Sequence, residues 1–315
     1  MKLARHIQEI PYNKNSIITV GTFDGVHLAH QKNIKEIVAL AGIKNGRSVV
    51  VTFEPHPREV VAHADTTIQL LTTLPEREEL CRQMGVDWFV AIQFDRVFAD
   101  QSFRDFYVKY LIEGIGVNLV VEGYDHHWGR NREGTIESLM QLGKEFEFDV
   151  MTIEPFTYDG RPVNSSIIRN DLNRGMVEDA AILLGRPYAL RGTVVAGDRR
   201  GRLLGYPTAN LELDSQKKLV PENGIYFVKV HVGAETYFGM ASIGVRPTFQ
   251  TNGKRTIEVH ILDFDKDIYG YSLTINFLQR MRDELKFDSA EQLIQQMHKD
   301  KEVSRVLQLE YKNRE

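Results

Sequence analysis

The sequence predicts two domains in series. The first is an α/β domain with a doubly wound parallel sheet over residues 1–186. The second, over 187–315, is a small antiparallel β-barrel with a terminal helix. Three observations predict this. Between residue 16 and about residue 153, short and nearly continuous apolar runs alternate with amphipathic stretches, as parallel strands covered on both faces require. Beyond about residue 188, apolar and polar residues alternate singly, the pattern of an antiparallel sheet with one buried face. Between the two patterns Gly185-Arg186-Pro187-Tyr188 breaks a helical stretch, and 315 residues suit two domains better than one.

The elements follow in order. Ile17-Ile18-Thr19-Val20 reads as a buried strand, and Gln31 to Ala41, with Ile34, Ile37, Val38 and Ala41 on one side, as an amphipathic helix. Further strands are predicted at 48–53, 88–92 and 117–121. Helices are predicted at Pro75 to Met84, where Pro75-Glu76 suits a first turn, and at Ser102 to Ile112. This alternation is Rossmann-like. Gly175 to Leu184 is the last helix before the break. In the second half, Ile257, Val259 and Ile261 alternate with Glu258 and His260, and Leu273, Ile275 and Phe277 with Thr274 and Asn276. Several such strands separated by Gly/Pro turns predict a barrel. Ser289 is placed to cap a final helix reaching about Leu309, with Ala290, Leu293, Ile294 and Met297 as its packing stripe.

Composition narrows the function. A 42% hydrophobic and 26% charged content is that of an ordinary globular protein. The net charge of −4 argues against a general nucleic-acid-binding surface. Cys81 is the single cysteine, which excludes an intrachain disulfide and suits a reducing cytoplasm. The N-terminus lacks a signal-peptide core, and no apolar run approaches the ~20 residues that span a membrane.

The most informative stretch is Gly21-Thr22-Phe23-Asp24-Gly25-Val26-His27-Leu28-Ala29-His30, a strand-to-helix turn. In an α/β fold that turn lies at the carboxyl end of a strand, where ligands bind. Helix N-terminal N–H groups there favour an anion, and Gly21 and Gly25 let backbone approach it closely. His27 and His30, three apart, can face one side of the first helical turn. The residues alone leave three readings open: phosphate chemistry, a solvated helix start, or half of a metal site. Two loops are similarly ambiguous. Phe53-Glu54-Pro55-His56-Pro57 is either a stiff turn with an exposed histidine or part of a site. Asp125, His126 and His127 raise a metal reading, which adjacent residues without a distant third ligand support poorly. Ser165 or Ser166 can cap a helix, and with Arg169 can also grip polyphosphate. In the second half, Gly197, Gly201 and Gly205 with Arg199, Arg200 and Arg202 make a basic loop that fits neither common phosphate-loop pattern. It leads into Pro207-Thr208-Ala209-Asn210, whose Thr208 hydroxyl and Asn210 amide are hard oxygen donors suited to Mg²⁺.

The Gly21–His30 string resembles the G-x-F-D-G-x-H-x-G-H signature of the bacterial FAD synthetases, the bifunctional riboflavin kinase/FMN adenylyltransferases, with Ala29 in place of the last Gly. Three more stretches of the first half resemble the same family: the Pro-His-Pro loop, the loop from Gly123 to Gly134 with Asp125, Gly129 and Arg132, and the element from Asn164 to Arg169. In the second half, residues 201–210 resemble the riboflavin-kinase signature G-R-x-L-G-[FY]-P-T-A-N without a gap. Residues 221–226, 241–249 and 256–264 also resemble kinase elements, as does the stretch from Arg280 to Phe287.

The resemblance implies a nucleotidyltransferase-type first domain and a kinase second domain. It implies that Glu258 is the general base for the riboflavin hydroxyl, with Thr208 and Asn210 at Mg²⁺ and Gly197, Arg202 and Gly205 around the nucleotide. Arg282 is implied as a flavin or phosphate contact. In the first domain it implies FMN adenylylation, with His27, His30 and Arg169 stabilising charge on the triphosphate and Gly21, Phe23, Asp24, Asp125, Ser165 and Ser166 binding nucleotide or flavin. ATP is the co-substrate, and riboflavin, FMN and FAD are the remaining ligands. Two other readings stay open at this point: a riboflavin kinase whose transferase domain is impaired by substitutions such as Ala29 and His126, and a flavin-binding regulatory module contacting RNA through Arg199, Arg200 and Arg202.

Overall fold

A computed structural model describes residues 1–61, 68–123, 133–197, 205–245 and 255–314. Asp125, His126, His127, Trp128, Arg132, Arg199, Arg200, Arg202 and the stretch 246–249 lie outside the described residues. By contact the chain divides into two compact units, Met1–Ser165 and Ser166–Glu315.

The first unit is built on a six-stranded parallel sheet, in the order β1-β4-β3-β2-β5-β6. The strands are β1 (Lys2–Ala4), β2 (Ser16–Val20), β3 (Arg47–Glu54), β4 (Trp88–Gln93), β5 (Leu119–Gly123) and β6 (Asp149–Ile153). Successive residues of β2 and β3 serve different cores. Ile18, Val20, Val49 and Val51 join one apolar cluster, while Ile17 and Val50 join another. Both faces are therefore covered, which explains the continuous apolar runs. The edge strands β1 and β6 add to the four predicted strands. β1 has only three residues, and β6 alternates exposed and half-buried positions, so neither makes an apolar run.

Helices α1 (Leu28–Ile43), α2 (Pro57–Val61), α3 (Leu74–Gln83), α4 (Arg96–Ala99), α5 (Phe103–Phe106) and α6 (Ile136–Phe146) belong to this unit. α1 begins three residues earlier than its periodicity predicts, because His27 acts as its N-cap. Thr73 and Glu76 form a capping box at α3. The segment predicted as helix at 102–112 starts as α5 and widens into π turns over Tyr107–Ile115, ending at Gly116, whose φ of 82° needs glycine. Cys81 is fully buried on α3, and burial pushes its thiol pKa up to about 12. A thiol reagent at about pH 8 should leave native protein unmodified and label Cys81 only in denaturant; rapid native labelling would contradict this packing.

The second unit holds a closed antiparallel barrel of β9 (Tyr188–Val195), β10 (Ala209–Leu213), β11 (Gly224–Val232), β12 (Glu235–Val245), β13 (Arg255–Ile261) and β14 (Ser272–Arg282). Its circular order is β10-β13-β12-β11-β14-β9, and β10 closes the ring by pairing with both β9 and β13. The small hairpin β7 (Thr157–Tyr158) and β8 (Arg161–Pro162) precedes α7 (Ser165–Asn173) and α8 (Val177–Leu184). The strand pattern changes near 186, but the compact units divide earlier, at 165/166. The physical reason is that α8 packs on β14 and β9, so it belongs with the barrel.

α9 (Ala290–Lys312) is capped by Ser289 as expected, with Ser289 Oγ accepting from Gln292 N. Its packing stripe differs from the predicted one. Ala290 is exposed and Leu293, Ile294 and Met297 are half-buried. The buried residues are Asp300, Ser304 and Leu307. Leu307 joins Phe227, Phe238, Leu262 and Leu278, while Asp300 is buried because it pairs with Arg282.

Candidate active sites

The sheet order reverses at β2. The chain moves from β2 through β3 to β4 on one side, then returns to β5 and β6 on the other. The carboxyl ends of β2 and β5 therefore flank the topological switch point, where an open α/β sheet offers its crevice. The Gly21–His30 turn leaves β2 at that point.

The turn is tightly held. Gly21 N donates to Val51 O at 3.0 Å, and Gly25 N to Thr72 Oγ1 at 2.7 Å. Phe23 and Val26 have φ of 47° and 40°. A β-branched residue in the left-handed region is a strained outlier, and such strain persists only where the surroundings impose it. Those surroundings join Asp24 of the turn to three residues that the sequence analysis does not single out, Thr72, Arg77 and Glu122. Asp24 is buried, and its carboxylate accepts from Leu71 N at 3.1 Å and Thr72 N at 2.8 Å. Arg77, also buried, donates through Nη1 to Thr22 O at 2.8 Å and Thr52 Oγ1 at 2.9 Å, and through Nη2 to Glu54 Oε2 at 2.6 Å. Glu122, fully buried at the end of β5, accepts from Val20 N at 3.2 Å and Tyr107 OH at 3.4 Å. Burial beside that carboxylate keeps the Tyr107 phenol pKa well above its usual value.

His27 and His30 come together as predicted. Their rings stack with centroids 3.6 Å apart and planes 17° apart, and Phe23 meets His30 edge-on at 5.2 Å. His27 Nδ1 accepts from His30 N at 3.4 Å. Ser165 opens α7, and its hydroxyl donates to Asp24 O at 2.9 Å, tying that helix start to the turn. Ser166 and Arg169 lie further along α7, exposed and half-buried respectively. The His56 ring is buried, with Nδ1 accepting from Arg58 N at 3.1 Å. The turn can thus present imidazole and helix-start N–H donors to an anion.

In the barrel, β10 and β13 pair with Asn210 opposite Glu258. Thr208 Oγ1 donates to Glu258 Oε2 at 3.1 Å. A Cβ on Gly197 would lie 2.2 Å from Asn210 Nδ2, so glycine is needed for that amide to sit where it does. Gly205 has φ of 83° and opens the Tyr206-Pro207-Thr208 turn. Thr208, Asn210 and Glu258 therefore converge, as predicted. The Arg282 guanidinium forks onto Asp300, with Nε 2.9 Å from Oδ1 and Nη2 2.6 Å from Oδ2. Among the described residues, no cluster of three or more His, Cys, Asp or Glu could cage a metal, and no helix is long and apolar enough to cross a membrane.

Comparison with known proteins bears on both halves. The FAD synthetase family profile matches residues 9–167, and the riboflavin kinase profile matches residues 184–307. The bifunctional riboflavin kinase/FMN adenylyltransferase of Listeria monocytogenes is 38% identical over 93% of this chain and 92% of that protein. Those of Bacillus subtilis and Escherichia coli K12 are 36% and 33% identical, over 91% and 97% of this chain and 90% and 97% of theirs. A crystal structure described as a macrolide-efflux protein from Streptococcus pneumoniae superposes with a TM-score of 0.87 at 32% identity, over 96% of this chain and 98% of that one.

Proposed function

Because the chain belongs to the bifunctional riboflavin kinase/FMN adenylyltransferase family, we propose that the α/β domain carries the adenylyltransferase and the barrel domain the kinase. The protein transfers the γ-phosphate of ATP to riboflavin, giving FMN. It then joins FMN to the adenylyl group of a second ATP, giving FAD and releasing pyrophosphate. The observation that carries this reading is the match of two different family profiles to successive parts of one chain, each part holding its own preorganised cluster.

In the kinase, Glu258 takes the proton of the attacking riboflavin hydroxyl, and its bond to Thr208 holds the carboxylate in place. The hard oxygens of Thr208 and Asn210 would hold Mg²⁺ through few protein ligands rather than an all-protein cage. When bound, Mg²⁺ neutralises charge across the phosphates. Gly197 and Gly205 let the backbone lie close to the nucleotide. In the transferase, the phosphate oxygen of FMN is already a nucleophile, so no covalent protein intermediate is needed. His27 and His30, with the helix-start N–H groups, stabilise charge developing on the triphosphate. Asp24 and Ser165 act one step back by fixing the turn. ATP as co-substrate and Cys81 kept as a thiol suit a cytoplasmic enzyme.

The test is a time course with riboflavin, ATP and Mg²⁺, separating the flavins by chromatography. FMN should rise first and FAD follow. No conversion of supplied FMN would sink the adenylyltransferase half. Ala29 tests the competing reading of an impaired transferase. It is the second residue of α1 and half-buried. A29G should change FAD formation by less than about threefold, whereas relief of a methyl clash would give a gain of roughly 10-fold or more.

A further inference from the structure

The C-terminal helix reaches the kinase loop through Tyr206, two residues before Thr208. Tyr206 is buried, and its phenol oxygen lies 2.6 Å from His298 Nδ1 on α9. Burial raises the phenol pKa, so the hydroxyl stays protonated and shares this hydrogen bond with the imidazole. The Tyr206 ring meets those of His260 and His298 edge-on at 5.3 and 5.4 Å, and Lys301 Nζ stands 5.7 Å from its centroid. The next residue, Pro207, accepts through its carbonyl from His260 Nδ1 at 2.9 Å. The one after it, Thr208, donates to Glu258. Three consecutive loop residues are thus fixed by three side chains, two from β13 and one from α9.

α9 does not need this contact to stay attached. Asp300 forks onto Arg282, Arg305 pairs with Asp263, and Leu307 enters the apolar cluster. His298 is exposed on the helix surface. Its bond to Tyr206 therefore constrains the loop more than the helix.

We propose that His298 is a positioning residue of the kinase: through Tyr206 it sets the Thr208 hydroxyl against Glu258, so that use of MgATP depends on the C-terminal helix. This rests on the reading of Thr208 as a nucleotide-site residue.

The experiment measures riboflavin phosphorylation over a range of MgATP for H298A, H298N, Y206F and T208A, together with adenylylation of supplied FMN and the unfolding temperature. H298A and Y206F should raise KM for MgATP about fivefold or more with a smaller change in kcat, the loss expected for one hydrogen bond. H298N, whose amide can accept from or donate to the phenol oxygen, should recover most of that loss. H298A should leave adenylylation unchanged. Wild-type KM and kcat in H298A and Y206F, with T208A inactive, would overturn the role of His298 and leave Thr208 in the site. A fully active T208A would overturn the reading beneath it as well. A loss in H298A that tracks a lowered unfolding temperature and is not recovered in H298N would make His298 merely structural, which also overturns the proposal.

Discussion

Glu258→Gln should lower riboflavin phosphorylation by about 10²- to 10⁴-fold, the range for removing a general base, while FMN adenylylation by the same preparation stays at its wild-type rate. The carboxylate is half-buried on β13, opposite Asn210 and bonded to Thr208. Glutamine keeps the volume and a hydrogen bond to the Thr208 hydroxyl but cannot take a proton at neutral pH. The change therefore removes chemistry and leaves packing in place. Purified E258Q supplied with riboflavin or with FMN, and assayed for both products, separates these effects. Normal FMN formation in E258Q would remove Glu258 from the mechanism.

The second large effect is expected at His30. His30→Ala should cut FAD formation from supplied FMN by about 10²- to 10³-fold, as loss of a preorganised donor to developing charge does, and leave FMN formation intact. Riboflavin would then accumulate as FMN. His30 is the better target of the pair because it is half-buried. His27 is buried and caps α1, so its removal would also cost about 1 kcal/mol of helix stability. Chromatography of the flavins at several FMN concentrations distinguishes a lower kcat from a raised KM. A rate unchanged within experimental scatter would mean the stacked imidazoles serve only the fold of the turn.

Much of the architecture was legible because its signals are local. Runs such as 48–53 report burial on both faces, and single alternation around Ile257, Val259 and Ile261 reports burial on one. The Gly21–His30 turn and the Pro207–Asn210 segment were legible because each carries its chemistry within ten residues. The supports of these sites were not. Arg77 lies in the charged run Glu76-Arg77-Glu78-Glu79 and reads as a solvated helix face, yet it is buried beneath Thr22 and Thr52. Thr72 looks like loop, yet it clamps Gly25. Glu122 sits in a strand whose apolar pattern gives no reason for a buried carboxylate. Arg282 pairs with Asp300, eighteen residues on, a partner that nothing local in the sequence reveals. In each case the partner is distant in sequence, and only the tertiary fold brings it near.

Mixing the two variants is the most direct test of whether one chain carries two separate sites with the residues assigned above. With riboflavin, ATP and Mg²⁺, E258Q alone should give neither product and H30A alone should stop at FMN. Together they should restore FAD, because FMN made by H30A can be adenylylated by E258Q. A mixture that forms FMN but no FAD, or FAD produced at the wild-type rate by H30A alone, would contradict it.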